Sequence, residues 1–106
     1  MLPLELQTPR EIAHTLAQRV RALRLFRGWT QAETAARAGL TLASYRRFER
    51  TGSISLERLL KLAIVLGAYG GLDQLFAPPP ARSLAELEKL DALTSRKRGR
   101  RRDAEA

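Results

Sequence analysis

Apolar positions recur along this chain with helical spacing over most of its length, and the stop signals between runs are sharp. Thr8-Pro9-Arg10-Glu11 joins an N-cap, a proline at the first helical position and a glutamate three residues after the cap, which opens a helix. Ile12, Leu16, Val20 and Leu23 carry one buried face to about Phe26, and Gly28 stops it. Thr30 with Glu33 makes a second capping box. Ala32, Ala35 and Ala36 then give a small apolar face that another helix can cross closely. Gly39 provides a residue for which positive φ costs little, Leu40 plugs the turn, and Thr41 caps a third helix that hides Tyr45 and Phe48. Ser55 caps a fourth, Leu56 to Leu66, with Leu59, Leu60, Ala63 and Leu66 inward and Gly67 as its stop. Gly70-Gly71 loosens the chain before a short fifth helix, Leu72 to Phe76. The pattern predicts an all-α, five-helix domain over residues 9–77.

The two ends read differently. Leu2, Leu4 and Leu6 alternate along an extended N-terminal arm, residues 1–8, either a frayed terminus or a short edge strand limited by Pro3. Pro78-Pro79-Pro80 is a stiff spacer. Beyond it Ser83 and Glu86 form another capping box, but Leu84, Leu87, Leu90 and Leu93 recur every three residues and drift around a 3.6-residue helix. Residues 83–93 are therefore a short docked helix or a segment ordered by a partner. From Thr94 the composition is that of a disordered basic tail, Arg96-Lys97-Arg98-Gly99-Arg100-Arg101-Arg102.

Charge sharpens the picture. The 106 residues carry a formal charge of +8, unevenly placed: residues 10–50 hold nine arginines against three glutamates. The last thirteen residues hold six basic against two acidic, and residues 51–93 are close to neutral. Two positive regions around a neutral middle fit polyanion at the former and protein at the latter. No cysteine occurs, which excludes a disulfide framework and a thiolate metal site and points to a reducing cytoplasm. There is no signal-peptide pattern and no apolar run near the roughly 18 residues of a membrane span, so a cytoplasmic, nucleoid-associated protein is expected. No Ser/His/Asp set, metal-ligand spacing or phosphate-cradling glycine loop is present, so neither catalysis nor a metal or cofactor is expected. The single His14 lies off the apolar stripe, a solvent-side or helix-capping residue.

Residues 29–50 read as two short helices joined by a tight turn, the geometry that carries a recognition helix into the DNA major groove. Leu42, Ala43, Ser44, Arg46, Arg47 and Arg50 are left on the outside. With Thr30-Gln31, Ala35, Gly39, Leu40-Thr41, Arg47-Phe48-Glu49-Arg50 and Ser55-Leu56 in this order and spacing, residues 19–76 resemble the Cro/cI-type (XRE) helix-turn-helix domain of phage repressors and bacterial regulators. The resemblance implies a lambda-repressor-like fold and double-stranded DNA as partner.

It also implies roles for single residues. Gln31 would clamp a phosphate at a helix N-terminus. Leu42, Ala43, Ser44 and Arg47 would face bases, while Thr41, Arg46 and Arg50 would hold the backbone. Arg47 suits a bidentate guanine contact, worth roughly 1–3 kcal/mol of discrimination. Leu42 and Ala43 depart from the Gln or Arg of many relatives and reach only a thymine methyl. Readout then rests on Arg47 and DNA shape, or the domain reads sequence poorly. Arg24 and Glu49 would form a structural salt bridge. Ile64, Val65, Leu72, Leu75 and Phe76 would form a homodimer interface, or else complete the core. Trp29 belongs to the helix-turn corner rather than to a base-stacking platform.

Three binding functions fit. The first is a dimeric, operator-binding transcriptional repressor. The second is a special case: an XRE domain, a Pro-rich spacer, a Ser-Leu-x-Glu-Leu segment and a basic end resemble small HipB-like antitoxins, which implies a HipA-like kinase toxin as partner, contacted by residues 83–93. The third is a protein–protein adaptor with non-specific nucleic-acid binding through its tail.

Overall fold

Single hydroxyls set the helix starts. The computed structural model describes residues 2–79 and 83–105, with side chains described through residue 95. Thr8 Oγ1 accepts from the Glu11 amide at 3.2 Å and Thr30 Oγ1 from the Glu33 amide at 3.0 Å. Thr41 Oγ1 accepts from the Ser44 amide at 3.1 Å and Ser55 Oγ from the Arg58 amide at 3.2 Å. These caps open α1 (Pro9–Phe26), α2 (Gln31–Ala38), α3 (Leu42–Thr51) and α4 (Leu56–Val65). Among the described residues there is no strand.

Eight residues are too few for α2 to hold itself in water, so its cap and its packing carry it. Thr30→Ala is expected to cost about 1 kcal/mol. In a domain of this size that lowers the melting temperature by roughly 4–8 °C. A thermal melt within a degree of the parent's would show that packing alone suffices.

The core joins Ala17 of α1, Ala35 and Ala38 of α2, Leu40 of the turn, Tyr45 and Phe48 of α3, and Leu62 of α4. Val20, Ile54, Leu59 and Val65 pack around it. Three faces differ from the expected ones. On α1 the buried positions are Ala17 and Arg24; Ile12, Leu16 and Val20 are half-buried and Leu23 is exposed. Small residues occupy the place where α3 crosses, and the larger leucines flank it. On α2, Thr34, Ala35 and Ala38 face inward, whereas Ala32 and Ala36 are exposed. Thr34 sits there at little cost because its hydroxyl donates to the Thr30 carbonyl at 2.9 Å. On α4 the buried side chain is Leu62, while Leu59, Leu60 and Ala63 are half-buried; Leu66, which caps the helix, is buried as expected.

The ends also depart from expectation. Leu4–Leu6 forms a 3₁₀ turn instead of an extended arm or strand. Pro3 fixes its start, the Leu6 amide donates to the Pro3 carbonyl, and Gln7 ties the turn to Leu2 and to Thr15 of α1. No helix forms over Leu72–Phe76: a 3₁₀ turn at Tyr69–Gly71 runs into further turns, since two adjacent glycines leave too few good helix formers to propagate one.

The chain divides into two units, Met1–Asp73 and Gln74–Ala106. The second contains the fifth helix, α5 (Leu84–Glu105), which Ser83 caps through the Glu86 amide at 3.2 Å. Its backbone is helical to Glu105. Glu86 in its first turn suits the positive end of the helix dipole. Leu84, Leu87 and Leu93 are exposed, as a three-residue spacing dictates. Pro80 of the spacer and the basic side chains from Arg96 onward lie outside what is described.

Candidate nucleic-acid interface

The turn between α2 and α3 is built from backbone alone. Gly39 takes φ 72°, and the amides of Gly39 and Leu40 donate to the carbonyls of Ala36 and Ala35 at 3.2 and 2.8 Å. This double closure ends α2 in two residues and leaves Leu40 buried beneath the turn. Thr41 then starts α3 at once. The period of that helix sends Tyr45, Phe48 and Glu49 inward and Ala43, Arg46, Arg47 and Arg50 to solvent, with Leu42 and Ser44 between.

Not all the anticipated contact residues come together. Gln31, Arg46 and Arg50 line one shallow groove of about 250 Å³ with Gln18, Arg21 and Glu49. Within it Arg46 Nε donates to Gln31 Oε1 at 3.3 Å. Thr41, Leu42, Ala43 and Ser44 occupy the α3 cap and first turn. Arg47 lies apart from the groove and lines a different cleft. Among the described residues, Arg46, Arg47 and Arg50 have no carboxylate partner. Gln18 and Arg21 escaped the sequence reading. Their signal is the i, i+3, i+6 spacing that puts them on the face of α1 leading to Arg24.

Beneath this surface lies a buried ion pair. Arg24 Nη2 and Nε donate to Glu49 Oε1 and Oε2 at 2.8 and 3.2 Å, and Arg24 Nη1 donates to the Trp29 carbonyl at 2.9 Å. One guanidinium thus joins α1, α3 and the corner before α2. Arg21 Nε adds a longer contact to Glu49 at 3.4 Å from its exposed position. Burial alone would push the Glu49 carboxyl up. The hydrogen bonds from Arg24 and its charge, with the Tyr45 hydroxyl nearby, outweigh it and hold the carboxyl below its ordinary range. The same hydrogen bond to Glu49 raises Arg24 against its own desolvation. Burial, with Glu49 nearby, holds the Tyr45 phenol well above its usual range, although its hydroxyl makes no hydrogen bond of good geometry.

Two further features fix the orientation of α3. Gly52 caps its C-terminus at φ 80° with no room for a side chain, since a Cβ there would stand 2.9 Å from the Ala13 carbonyl carbon and the His14 nitrogen. Trp29 is half-buried at the corner between two guanidiniums, Arg37 at 4.3 Å and Arg27 at 5.1 Å from the ring centroid. Arg27 also donates to the Leu66 carbonyl at 2.9 Å, pinning this corner to the end of α4.

The candidate dimer residues divide. Val65 packs on the core and Leu72 is half-buried, while Ile64 is exposed. Leu75 and Phe76 belong to the second unit; both are exposed, and Phe76 takes φ 58°. His14 is exposed, and the described residues contain no cluster of metal-ligating side chains. No helix among them is long and apolar enough to cross a membrane.

A short helix held by a tight turn, hiding aromatics and presenting exposed arginines, defines the class of helix-turn-helix proteins. Comparison with known proteins agrees: the helix-turn-helix family profile matches residues 20–70. A protein of Neisseria meningitidis serogroup B, described as a "Neisseria hypothetical transcription factor", is 36% identical over 84 residues, covering 76% of each chain. The chain belongs to the XRE-type helix-turn-helix family of DNA-binding transcription regulators.

Proposed function

We propose that this protein is a sequence-specific transcriptional repressor that binds its operator as a homodimer, with α3 in the major groove. The observation that carries the reading is the division of α3. Tyr45, Phe48 and Glu49 lock it to the domain while Arg46, Arg47 and Arg50 stand exposed, without carboxylate partners among the described residues. Phosphate contacts from Gln31, Thr41, Arg46 and Arg50 set affinity and register, and Arg47 reads a guanine beside the apolar contacts of Leu42 and Ala43. Two-fold symmetry spaces the paired recognition helices about one DNA turn, roughly 34 Å, apart. Exposed Ile64 of the first unit supplies apolar surface for the second copy.

The test is binding to the DNA upstream of the protein's own reading frame against a scrambled duplex, over several salt concentrations. The native duplex is expected to win by about a thousandfold. Arg47→Ala should lose about 1–3 kcal/mol on the native duplex alone. Equal binding to both duplexes, governed only by salt, would make the protein an adaptor with non-specific affinity.

The antitoxin reading is a narrower form of the same function. It assigns residues 83–93, the start of α5, to a HipA-like kinase. Co-purification with a kinase encoded in the adjoining reading frame would support it, and a neighbour of any other kind would remove it.

A further inference from the structure

We propose that Arg10, at the start of α1, holds a DNA phosphate in a cleft between α1 and the C-terminal end of α3. This extends the contact beyond the recognition helix and rests on the DNA-binding reading above. The cleft, about 400 Å³, is lined by Arg10, Ala13, Arg47, Thr51, Gly52 and Ser53. Its lining has two guanidiniums and the Ser53 hydroxyl but no carboxylate, the Thr51 hydroxyl giving its proton to the Arg47 carbonyl. A phosphate oxyanion is the ligand this chemistry recognises.

The backbone puts these groups together. Because Gly52 lacks a side chain, the end of α3 lies directly on the Ala13–His14 peptide. Arg10 precedes those two residues by three and four positions, so it shares their face of α1 and stands beside the end of α3. The turn after α3 is closed by Thr51, whose hydroxyl donates to the Arg47 carbonyl at 2.7 Å and accepts from the Ser53 amide at 3.1 Å. Arg10 is exposed and has no salt bridge among the described residues. A second cleft continues from it along Glu11, His14, Arg50 and Thr51, where Glu11 supplies a carboxylate. The phosphate therefore belongs on the Arg47 side. Since Arg47 serves both the recognition surface and this cleft, a phosphate seated here is continuous with the base that Arg47 reads. That continuity favours the DNA backbone over a free anion.

The experiment adds Arg10→Ala to the salt titrations, with Arg19→Ala as control. Arg19 is exposed on the same helix and lines none of these clefts. Arg10→Ala is expected to flatten the plot of log affinity against log salt by about 0.9, the value of one phosphate contact. It should weaken native and scrambled duplexes by the same factor and leave the melting temperature unchanged, while Arg19→Ala leaves the slope alone. An unchanged slope for Arg10→Ala overturns the inference, as does an equal loss for Arg19→Ala, which would mean a response to net charge. Inorganic phosphate at constant ionic strength tests the other source. If it raises the melting temperature of the parent but not of Arg10→Ala, the cleft is a free-anion site and the inference falls. Should the parent prefer its own upstream DNA and lose part of that preference with Arg47→Ala while Arg10→Ala behaves as the parent, only the cleft is wrong. Parent protein without affinity for DNA sinks the cleft and the repressor reading together.

Discussion

Gly52→Ala is expected to destabilise the domain by about 2–5 kcal/mol, from an unfavourable left-handed backbone together with overpacking. At φ 80° an alanine pays the conformational cost wherever it sits. Here its Cβ would also press on the main chain of α1, with the Ala13 carbonyl oxygen at 3.0 Å in addition to the two closer atoms. A helix backbone has no rotamer to yield, so α1 and α3 must separate. Gly39→Ala is the matched comparison, at φ 72° with nothing within 4 Å of the added carbon. It should lose only the conformational part, roughly 1–2 kcal/mol. Urea unfolding of the two variants measures the difference directly. Equal midpoints would mean that the α1–α3 approach carries none of the stability of the domain.

The second large effect belongs to Glu49→Ala. Removing one partner of a buried pair strands the other charge, at a cost of about 3–5 kcal/mol. Arg24 would keep its bond to the Trp29 carbonyl and lose both bonds to α3. DNA binding should fall in step with the folded fraction. A variant that melts like the parent yet binds no DNA would move Glu49 from scaffold to contact surface. The same pair makes stability depend on pH. The carboxyl is held below its ordinary value of 4.5 in the folded state, so the unfolded chain takes up a proton first on acidification. Its contribution is complete above about pH 4.5 and disappears as pH falls through the lower, folded value. Glu49→Gln has no such proton to bind. Its stability should therefore decline less steeply than the parent's below that pH, and parallel curves would discount the pair as an acid-sensitive element.

These two residues also mark what a sequence exposes and what it hides. The Arg24–Glu49 pair follows from the family resemblance, and the helix starts follow from hydroxyls that bond three residues away. Local signals of that kind survive folding unchanged. Gly52 carries no comparable mark, because its importance comes from the Ala13–His14 peptide, remote in sequence. The same holds for the buried faces. Counting large apolar residues favours Leu23, whereas α3 needs room to approach and so buries Ala17. Thr34 goes inward because the Thr30 carbonyl satisfies it. Of the candidate contact surface, the exposure of Arg46, Arg47 and Arg50 follows from helical period. The partition of Arg47 into one cleft and Arg46 with Arg50 into another depends on where α1 runs. The turns over Leu72–Phe76 reflect the Gly70-Gly71 pair, which weighs little in a pattern of apolar positions.

The single tryptophan makes the domain optically self-reporting. Trp29 stands between Arg27 and Arg37, with Arg24 bonded to its carbonyl and Arg27 bonded to the end of α4. Its fluorescence therefore samples a corner that α1, α2 and α4 share. Emission from one unlabelled indole should follow cooperative unfolding of the whole helix-turn-helix, and it should lie outside the surface that α3 presents to a duplex. Folding and binding would then be readable in the same cuvette without interfering with each other.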